Sequence, residues 1–263
     1  MDLGLNGKVV VISGAAGNRG SIGETILRHL VEEGAIPAII DRNNRGFEYV
    51  KEIQSKGVDA IFCQTDVAKA EQIEAAVKTI ANKYGKIDAV INNVGVNDGV
   101  GFDASYEEFM DSLKLNMVSY FLVVKHALPY LKESKGTVLN IGSKVALTGQ
   151  GGTSGYAASK GGVLGLTREW AVDLIKDKIR VNAIIIAESW TPAYDNWIKT
   201  LENGEEKLKK IVEKIPLENR MTTPDEIANT CLFVISDKSS HTTGQFITVD
   251  GGYVHLDRAL LSE

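Results

Sequence analysis

A tyrosine and a lysine stand four positions apart, at Tyr156 and Lys160, in a stretch with helical spacing. Residues at i and i+4 share one face of a helix, so the two side chains are expected to be neighbours. A free phenol titrates at about pH 10, which is too high for a base at neutral pH. An ammonium about 5 Å away, at an effective dielectric of about 20, favours the phenolate by roughly 3 kcal/mol, or about two pKa units. Such a pair is usually only a surface contact, so it needs a third residue.

Ser143 supplies a second hydroxyl, at the point where the apolar run 137–141 gives way to a polar turn. A short apolar run bounded by turn residues is typical of a buried strand. A hydroxyl at the end of that strand could hydrogen-bond the same substrate oxygen as Tyr156. Ser143, Tyr156 and Lys160 therefore predict a site that moves a proton to or from an oxygen atom.

A glycine-rich turn follows the first apolar run, 8–12, and precedes a segment with helical spacing. Glycines let the backbone turn tightly and come close to a pyrophosphate, which the helix N-terminus then attracts. Such a turn alone is a weak signal, but strand, turn and helix occur here in the required order. The candidate dinucleotide contacts in this turn are Gly14, Asn18, Arg19, Ser21, Ile22 and Gly23.

Asp41 ends the second apolar run, where an acid can accept hydrogen bonds from the hydroxyls of an adenosine ribose. Its negative charge would repel a 2′-phosphate, so Asp41 favours NAD over NADP. Arg42 and Arg45 follow it, and an arginine in this loop could hold a 2′-phosphate. We therefore predict NAD as the cofactor, with NADP as the second choice.

Two more turns could contact the same dinucleotide. Asp66 and Val67 follow the third apolar run, and an acid there could meet the adenine amino group. Asn93, Val94 and Gly95 follow the fourth run, where a glycine would let the backbone approach a ribose. Because an open parallel sheet binds ligands at the carboxyl ends of its strands, all of these turns are expected on one rim.

The elements that must position these residues are short apolar runs alternating with longer amphipathic segments. Runs that are apolar throughout suit strands covered on both faces, as in a parallel sheet. The predicted strands are 8–12, 36–40, 58–62, 87–91, 137–141, 179–185 and 246–249. The predicted helices are 22–33, 45–56, 69–84, 106–133, 156–176 and 224–236. This alternation predicts a single-domain, doubly wound α/β fold, with a parallel sheet of about seven strands and helices on both faces.

One long insertion interrupts the alternation before the helix that begins at Pro224. It contains two helical stretches, 194–201 and 205–214. An insertion after a late strand is a natural place for a lid over a substrate. We predict a lid at 187–222 within one domain that spans 1–263; the alternative is a surface helical hairpin without a role.

Composition excludes several classes of protein. The 263 residues carry a net charge of −5, which is not the electrostatic footprint of a nucleic-acid binder. The sequence contains no run of about eighteen apolar residues, which is the length needed to span a membrane. Its N-terminus also lacks the features of a secretory signal. Two cysteines make no disulfide framework, and four histidines without ligand spacing predict no metal. These features predict a soluble cytoplasmic protein.

The motifs together resemble the short-chain dehydrogenase/reductase family over nearly the whole chain. The family's Asn-Asn-Ala-Gly turn appears at 92–95 with valine in the alanine place, its Arg-Val-Asn stretch at 180–182 and its Val-Asp-Gly-Gly close at 249–252. The resemblance implies a Rossmann fold that binds NAD(P). The catalytic residues that it implies are Asn116, Ser143, Tyr156 and Lys160.

By that resemblance, Ser143 and Tyr156 hold the alcohol oxygen, and Tyr156 is the general base in oxidation or the general acid in reduction. Lys160 lowers the phenol pKa and binds the nicotinamide ribose. Asn116 positions a water that links Lys160 to solvent. Hydride passes between the carbinol carbon and the nicotinamide, which the protein binds and orients.

The sequence departs from the family pattern in two places. Gly14 and Gly23 are nine residues apart, so the glycine turn is longer than the common motif. The usual Pro-Gly after the sixth strand reads Ile-Ala at 186–187, so this loop is expected to take another path. Thr191 can still meet the carboxamide of the nicotinamide, and Glu188 is a candidate to face the substrate.

Two segments, 187–192 and 252–260, resemble those of L-fucose dehydrogenase-type members, which oxidise an aldose to its lactone. A sugar needs several hydrogen-bonding or stacking partners. The predicted substrate contacts are Ser143, Lys144, Gln150, Tyr156, Glu188 and Trp197, with Asn97 and His255 as further candidates. Lys144 and Gln150 could also be solvated loop residues, and Trp197 could belong to the core of the lid.

Two other functions stay open at this point. One is an NADPH-dependent reductase of ketoacyl or hydroxysteroid substrates. The other is a sensor that binds NAD without turnover, although a sensor has no need of the catalytic residues. The resemblance also implies a homotetramer, with 106–133 and 156–176 as interface helices. The other predicted partner is a small-molecule alcohol or carbonyl substrate. Binding to a nucleic acid or to a membrane is not expected.

Overall fold

The computed structural model describes residues 2–256 of the chain. The strands are β1 Val9–Ser13, β2 Ile36–Asp41, β3 Ile61–Gln64, β4 Ala89–Asn92, β5 Thr137–Ile141, β6 Arg180–Ile186 and β7 Phe246–Val249. All of them pair in parallel, in the order β3-β2-β1-β4-β5-β6-β7. The predicted doubly wound sheet of seven parallel strands is therefore confirmed. The strand order reverses between β1 and β4, which is where such sheets bind ligands.

The helices alternate with the strands along the chain. They are α1 Ile22–Glu32, α2 Gly46–Ser55, α3 Ala70–Tyr84, α4 Tyr106–Leu113, α5 Ser119–Ser134, α6 Ser154–Asp173, α7 Pro192–Lys199, α8 Gly204–Val212 and α9 Pro224–Ile235. Helices α1, α2 and α9 pack on one face of the sheet and α3, α5 and α6 on the other. Helices on both faces explain why the strands are apolar throughout rather than alternating.

The two faces of β1 show how the core is divided. Val10 and Ile12 belong to the cluster under α1, α2 and α9. Val9 and Val11 point to the opposite face and join the cluster under α3, α5 and α6. All four side chains are fully buried. The end of this strand is therefore held rigidly, and the glycine turn that follows it starts from a fixed position.

The segment predicted as one helix over 106–133 contains a break. Helices α4 and α5 are joined by a π-helical segment, Lys114–Val118, in which Asn116 is buried. A π-helical turn inserts an extra residue into the helix, and such turns are frequent at functional sites. The hydrophobic spacing stays helical across the break, so the sequence pattern does not reveal it.

The third strand begins later than predicted, at Ile61 rather than at position 58. The Val58 amide donates to the carbonyl oxygen of Ile53 at 3.4 Å, and Gln54 Nε2 donates to the carbonyl oxygen of Ala60 at 3.3 Å. These residues therefore close the end of α2 instead of extending the sheet. The other predicted strands and helices differ from the observed ones by a few residues at their ends.

The insertion 187–222 carries α7 and α8 and is closed at its base by backbone bonds. The Thr222 amide donates to the carbonyl oxygen of Glu188 at 3.1 Å, and the Trp190 amide donates to that of Thr222, also at 3.1 Å. Ser189 Oγ adds a bond to the Thr222 carbonyl oxygen at 3.0 Å. The two ends of the insertion are thus fixed to each other beside the carboxyl end of β6.

Candidate active site

One cleft runs along the carboxyl ends of the strands and brings most of the predicted site residues together. It is lined by loops that follow six of the strands and by α6 and α7. Predicted residues on its wall are Gly14, Ser21, Ile22, Gly23, Asp41, Asp66, Val67, Asn93, Val94, Gly95, Ser143, Tyr156, Lys160 and Thr191. Predicted residues that do not line it are Asn18, Arg19, Asn116, Lys144, Gln150, Glu188 and Trp197.

The glycine turn accepts no side chains at its two ends. Gly14 has a φ of +73°, a left-handed conformation that other residues rarely adopt. A Cβ added to Gly23 would lie 2.2 Å from the carbonyl oxygen of Gly14. Glycine at position 23 therefore lets α1 approach the end of β1, as the sequence predicted for a dinucleotide-binding turn.

The N-terminus of α1 has the properties of an anion site. Helix α1 has 11 residues, and Ser21 and Ile22 at its N-terminus lie on the cleft wall, where the first N–H groups of a helix have no partner within it. Within the described residues, the buried Ser21 hydroxyl has no hydrogen-bond partner. A buried hydroxyl without a partner is costly unless a ligand satisfies it. This end of the cleft therefore fits the pyrophosphate of a dinucleotide.

Asn18 and Arg19 lie on the outer side of the glycine turn. The Asn18 carbonyl oxygen accepts the Ser21 amide at 2.9 Å, which closes the turn. The exposed Arg19 guanidinium pairs with Glu52 in α2 and lies 5.4 Å from the ring centroid of Tyr49. Arg19 thus pairs with α2 and does not line the cleft, and its contact with a phosphate stays a prediction.

The end of β2 places an acidic side chain, Asp41, next to a basic one, Arg42. Asp41 accepts the Ala16 amide on Oδ2 at 2.8 Å and the Asn43 amide on Oδ1 at 2.9 Å. A carboxylate oxygen has a second lone pair, so both can still accept ribose hydroxyls. Arg42 is exposed and also lines the cleft, whereas Arg45 reaches the Ala16 carbonyl oxygen at 3.4 Å. The structure therefore contains a residue that opposes a 2′-phosphate and one that favours it.

The turns after β3 and β4 complete the wall. Asp66 lies on it and accepts the Ala68 amide on Oδ1 at 3.1 Å. Asn93 Nδ2 donates to the carbonyl oxygens of Ser13 and Gly14, at 3.1 and 2.9 Å, so its side chain ties the β4 turn to the glycine turn. A Cβ on Gly95 would lie 3.3 Å from Lys160 Nζ. The glycine at position 95 therefore makes room for the lysine as well as for a ligand.

The three residues predicted to transfer a proton meet on the wall of this cleft. Ser143 follows β5, Tyr156 is in the first turns of α6, and Lys160 is one turn further along. Burial raises the pKa of Tyr156, the Ser143 hydroxyl acts in the opposite direction, and Asp98 adds to the rise. Burial is thus the largest influence on the pKa of Tyr156 in this structure, and the lowering by Lys160 stays a prediction.

Lys160 is buried, with 2% of its surface exposed. Its Nζ donates to the carbonyl oxygen of Ile141 at 2.7 Å and to Tyr120 Oη at 3.1 Å, and it lies 5.7 Å from the ring centroid of Tyr156. Burial lowers the pKa of Lys160 to about 7. The ammonium and the Tyr156 phenol thus share one face of α6, as their spacing predicted.

Asn116 holds a loop and does not line the cleft. Its Nδ2 donates to the carbonyl oxygens of Val96 and Ser112 at 3.1 Å each, and its Oδ1 accepts the Val96 amide at 2.8 Å. The side chain has no bond to Lys160. Its side chain ties the loop after β4 to α4 and so orders the segment beside Gly95.

The substrate end of the cleft contains a buried ion pair that supports an aromatic wall. The Lys144 ammonium contacts the Glu188 carboxylate directly, with 12% and 11% of the two side chains exposed. Tyr194 in α7 donates from its hydroxyl to Glu188 Oε2 at 2.9 Å. Tyr194 lines the cleft, whereas Lys144 and Glu188 lie behind it. Burial raises the pKa of Tyr194 to about 12, with Tyr253 adding to the rise.

Sequence reasoning did not find Tyr194 or Tyr120. Tyr194 was included only in a helical stretch of the insertion, and no motif distinguishes it. Tyr120 has the spacing of a core residue on α5, and it is buried there as such. The signal that could have found Tyr194 is the acid at Glu188, because a buried carboxylate requires hydrogen-bond donors.

The remaining predicted substrate contacts lie away from the cleft. Gln150 and Asn97 are exposed loop residues. Trp197 packs edge-on against Tyr194, with ring centroids 5.2 Å apart. His255 is exposed, with Nε2 3.4 Å from Thr248 Oγ1. Of the segment 252–260, positions 257–260 fall outside the described residues.

Residues 2–256 contain no group of three or more His, Cys, Asp or Glu side chains placed to hold a metal ion. No helix in this part of the chain is long and apolar enough to cross a membrane.

Comparison with known proteins gives matches over nearly the full length. A family model described as enoyl-(acyl carrier protein) reductase matches residues 14–254. The 3-oxoacyl-[acyl-carrier-protein] reductase of Thermotoga maritima is 34% identical over 253 residues, which are 95% of this chain and 99% of that protein. The residues matched by the family model, 14–254, include all those that line the cleft.

Two solved structures show the same fold. Cj0485 dehydrogenase shares 43% sequence identity with a TM-score of 0.92 and covers 98% of each chain. The L-sorbose reductase of Gluconobacter frateurii, complexed with NADPH and L-sorbose, shares 26% identity with a TM-score of 0.91 and covers 98% of this chain and 100% of that one.

The fold, the cleft at the carboxyl ends of the strands and these matches agree with one another. The reaction class that they establish is hydride transfer at a CH–OH group with NAD(P). The chain therefore belongs to the short-chain dehydrogenase/reductase family and is an oxidoreductase.

Proposed function

We propose that the protein oxidises a sugar-type alcohol, an aldose or a polyol, with a nicotinamide dinucleotide, and that L-fucose, oxidised to its lactone, is the first substrate to test. The observation that carries the proposal is the position of Ser143, Tyr156 and Lys160 on one wall of the cleft. The substrate end beside them is formed by Tyr194, with a buried ion pair behind it.

In the proposed mechanism, Ser143 and Tyr156 hold the alcohol oxygen between their hydroxyls, and Tyr156 takes its proton. Lys160 stabilises the phenolate through its positive charge and donates to the nicotinamide ribose. The bound dinucleotide supplies the hydride acceptor. Asn116 orders the loop 93–96 beside Lys160 and holds the relay water that returns the proton to solvent.

The dinucleotide would lie across the cleft, with its pyrophosphate at the N-terminus of α1 and its adenosine ribose at Asp41. Asp66 and Val67 would meet the adenine, and Thr191 the nicotinamide carboxamide. We keep NAD as the first cofactor to test because of the Asp41 carboxylate. Arg42 and the NADPH in the L-sorbose reductase complex favour NADP instead.

A sugar-type substrate is supported by the chemistry of the substrate end. Tyr194 lines the wall there, and its hydroxyl proton is directed to Glu188, so the phenolic oxygen can still accept a hydrogen bond from a hydroxyl of the substrate. L-sorbose, the ligand in one similar structure, is itself a sugar. The insertion 187–222, which supplies Tyr194, is in this proposal the lid over the substrate.

The second candidate function is reduction of a ketoacyl substrate with NADPH. It is favoured by the similarity to the Thermotoga maritima reductase, which covers 99% of that protein. The two candidates share the catalytic residues and differ in substrate and cofactor. A homotetramer stays a prediction from the family resemblance, and a cytoplasmic location stays a prediction from composition.

The test begins with a panel of aldoses, polyols and hydroxysteroids, each with NAD and NADP, and of ketoacyl thioesters, each with NADH and NADPH. Absorbance of the reduced dinucleotide reports turnover. We expect the highest kcat/KM with an aldose and NAD. A preference for the ketoacyl thioester with NADPH establishes the second candidate instead.

Tyr156→Phe tests the mechanism within the same assay. We expect turnover to fall by at least about 10³-fold, because the variant cannot exchange a proton with the substrate oxygen. The dissociation constant of the reduced dinucleotide should stay within a few-fold of its original value. Tyr106→Phe is the matched control, since Tyr106 is 73% exposed and lies outside the cleft. Unchanged turnover in Tyr156→Phe contradicts the proposed role, and dinucleotide binding without turnover of any alcohol points to a sensor.

A further inference from the structure

A second buried phenol lies beside the lysine of the site. Tyr120 in α5 is 1% exposed, and its Oη is 3.1 Å from Lys160 Nζ. The two residues are far apart in sequence and belong to different helices. Tyr120 is not on the wall of the cleft, so it does not reach a ligand there. Any part that it plays in the reaction must act through Lys160.

The hydrogen bonds of Tyr120 have a definite direction. Its hydroxyl donates to the carbonyl oxygen of Val94 at 2.8 Å, with the carbonyl oxygen of Ile141 further away at 3.3 Å. Complete burial raises the pKa of Tyr120 well above its usual value, so the phenol stays protonated. Because its proton is directed to a carbonyl, the oxygen is left to accept from the Lys160 ammonium.

The donors of Lys160 are nearly all used by the protein. An ammonium has three N–H donors. One is directed to the Ile141 carbonyl oxygen at 2.7 Å and one to Tyr120 Oη. Since Lys160 also lies on the cleft wall, the third donor is available to a bound ligand. Two fixed acceptors behind the ammonium thus set the direction of the one donor that faces the cleft.

We propose that Tyr120 is a positioning residue that holds the Lys160 ammonium in place and in its charged form. This inference rests on the proposed role of Lys160 in the site. Without the phenol oxygen, the ammonium keeps one protein acceptor in a buried position. Burial already lowers the pKa of Lys160 to about 7, so the loss of an acceptor lowers it further.

The charged and titratable groups around Lys160 are few. The phenol of Tyr120 faces it from α5 and that of Tyr156 from its own helix, with ring centroids 5.0 and 5.7 Å from Nζ. From β5 it meets only a carbonyl oxygen. Asp98, in the loop after β4, acts on Tyr156. A change in the charge of Lys160 therefore acts mainly on the pKa of Tyr156. That pKa rises when the ammonium loses its charge, because a positive charge stabilises the phenolate.

The experiment compares Tyr120→Phe with the unmodified full-length protein. We measure kcat and KM across pH 6 to 10 with the best alcohol of the panel, and the dissociation constant of the reduced dinucleotide by fluorescence. We expect the acid limb of the kcat profile to move up by about one pKa unit, with activity at neutral pH reduced about tenfold and recovered at high pH. We also expect dinucleotide binding to weaken several-fold at pH 7, where the Lys160 ammonium of the unmodified protein is still partly charged.

The control is Tyr130→Phe, which removes a phenolic hydroxyl from the same helix outside the cleft. A general loss of packing lowers the amount of active protein without moving the pH profile, so the apparent pKa separates positioning from folding. If Tyr120→Phe does not fold, 3-fluorotyrosine at position 120 keeps the shape and weakens the oxygen as an acceptor.

The outcomes are distinguishable from those for the proposed function. A shifted acid limb and weaker dinucleotide binding support the role of Tyr120. An unchanged profile and unchanged binding, as in Tyr130→Phe, overturn it while leaving Tyr156 and Lys160 in place. If no alcohol is turned over, the proposed function fails, and the dinucleotide binding of Tyr120→Phe still decides whether Tyr120 holds Lys160.

Discussion

Asp41 and Arg42 act in opposite directions at the adenosine end of the cleft. Both line it, and each could decide whether a 2′-phosphate is accepted. The Asp41 carboxylate also accepts the backbone amides of Ala16 and Asn43. A substitution that tests its charge must therefore keep its shape and an oxygen acceptor. Arg42 is exposed and can be truncated more freely.

We predict that Asp41→Asn raises the ratio of kcat/KM for NADP to that for NAD by about tenfold, because it removes the charge that repels a 2′-phosphate. Arg42→Ala should lower the same ratio by a similar factor. The measurement is initial rates with both dinucleotides at saturating alcohol. Arg28→Ala is the control, since Arg28 pairs with Glu32 and Asp225 outside the cleft. A ratio that stays constant in both variants contradicts this view of the loop.

Four residues of the site could be predicted because each follows a predicted strand or lies one helical turn from another candidate. They are Ser143, Tyr156, Lys160 and Asp41. Tyr120 could not, since its contact with Lys160 joins residues 40 apart in the chain. Arg19 is a candidate phosphate contact because it lies in the glycine turn. Its ion-pair partner in the structure, Glu52, is on another helix and could not be predicted from that turn.

At the scale of elements, the insertion 187–222 is tied to the catalytic loop by the Lys144–Glu188 pair. Lys144 follows Ser143 directly, and Glu188 begins the insertion. Through Tyr194, the same carboxylate also holds α7. Removing one partner of a buried pair leaves a charge without compensation, which costs roughly 3–5 kcal/mol, whereas replacing both costs much less.

We predict that Glu188→Gln and Lys144→Met each lower the free energy of unfolding by roughly 2–4 kcal/mol, and that the double variant loses much less than the sum. Denaturant unfolding of the four proteins gives the coupling energy. The matched control is the Lys210–Glu206 pair in α8, whose side chains are 67% and 63% exposed and which should couple by only about 0.5 kcal/mol. Equal coupling in the two pairs would show that burial does not strengthen the first.

Most strands and helices could be predicted from the sequence. The strands appear as seven short apolar runs, and the segments between them have the spacing of apolar residues that is typical of helices. The break in 106–133 was not, since the apolar side chains of α4 and α5 keep helical spacing on both sides of Lys114–Val118. What fixes the π-helical segment is tertiary: Asn116 bonds to Val96, in a loop from the neighbouring strand. Its cause lies outside the local sequence.

At the scale of the whole molecule, the cleft couples ligand binding to the stability of the fold. Loops from both halves of the sheet line it, and the glycine turn in the first half packs against the β4 turn through Asn93. A dinucleotide that binds only the folded protein must stabilise it by mass action. We expect a Cβ added at Gly23 to weaken this coupling, because it would meet the carbonyl oxygen of Gly14.

We predict that a dinucleotide at about 100 times its dissociation constant adds roughly 2.7 kcal/mol to the free energy of unfolding, which raises Tm by about 5–10 °C. Gly23→Ala should abolish the rise, because its Cβ would lie 2.2 Å from the Gly14 carbonyl oxygen and push α1 away from the pyrophosphate position. Gly165→Ala in α6 is the matched control: no atom lies within 4 Å of its added Cβ, so it should keep the full rise and gain up to about 1 kcal/mol from helix propensity. Thermal unfolding with and without NAD or NADP measures both effects. A full rise in Gly23→Ala would mean that the dinucleotide does not depend on the close approach of α1 to β1, and would place its pyrophosphate elsewhere.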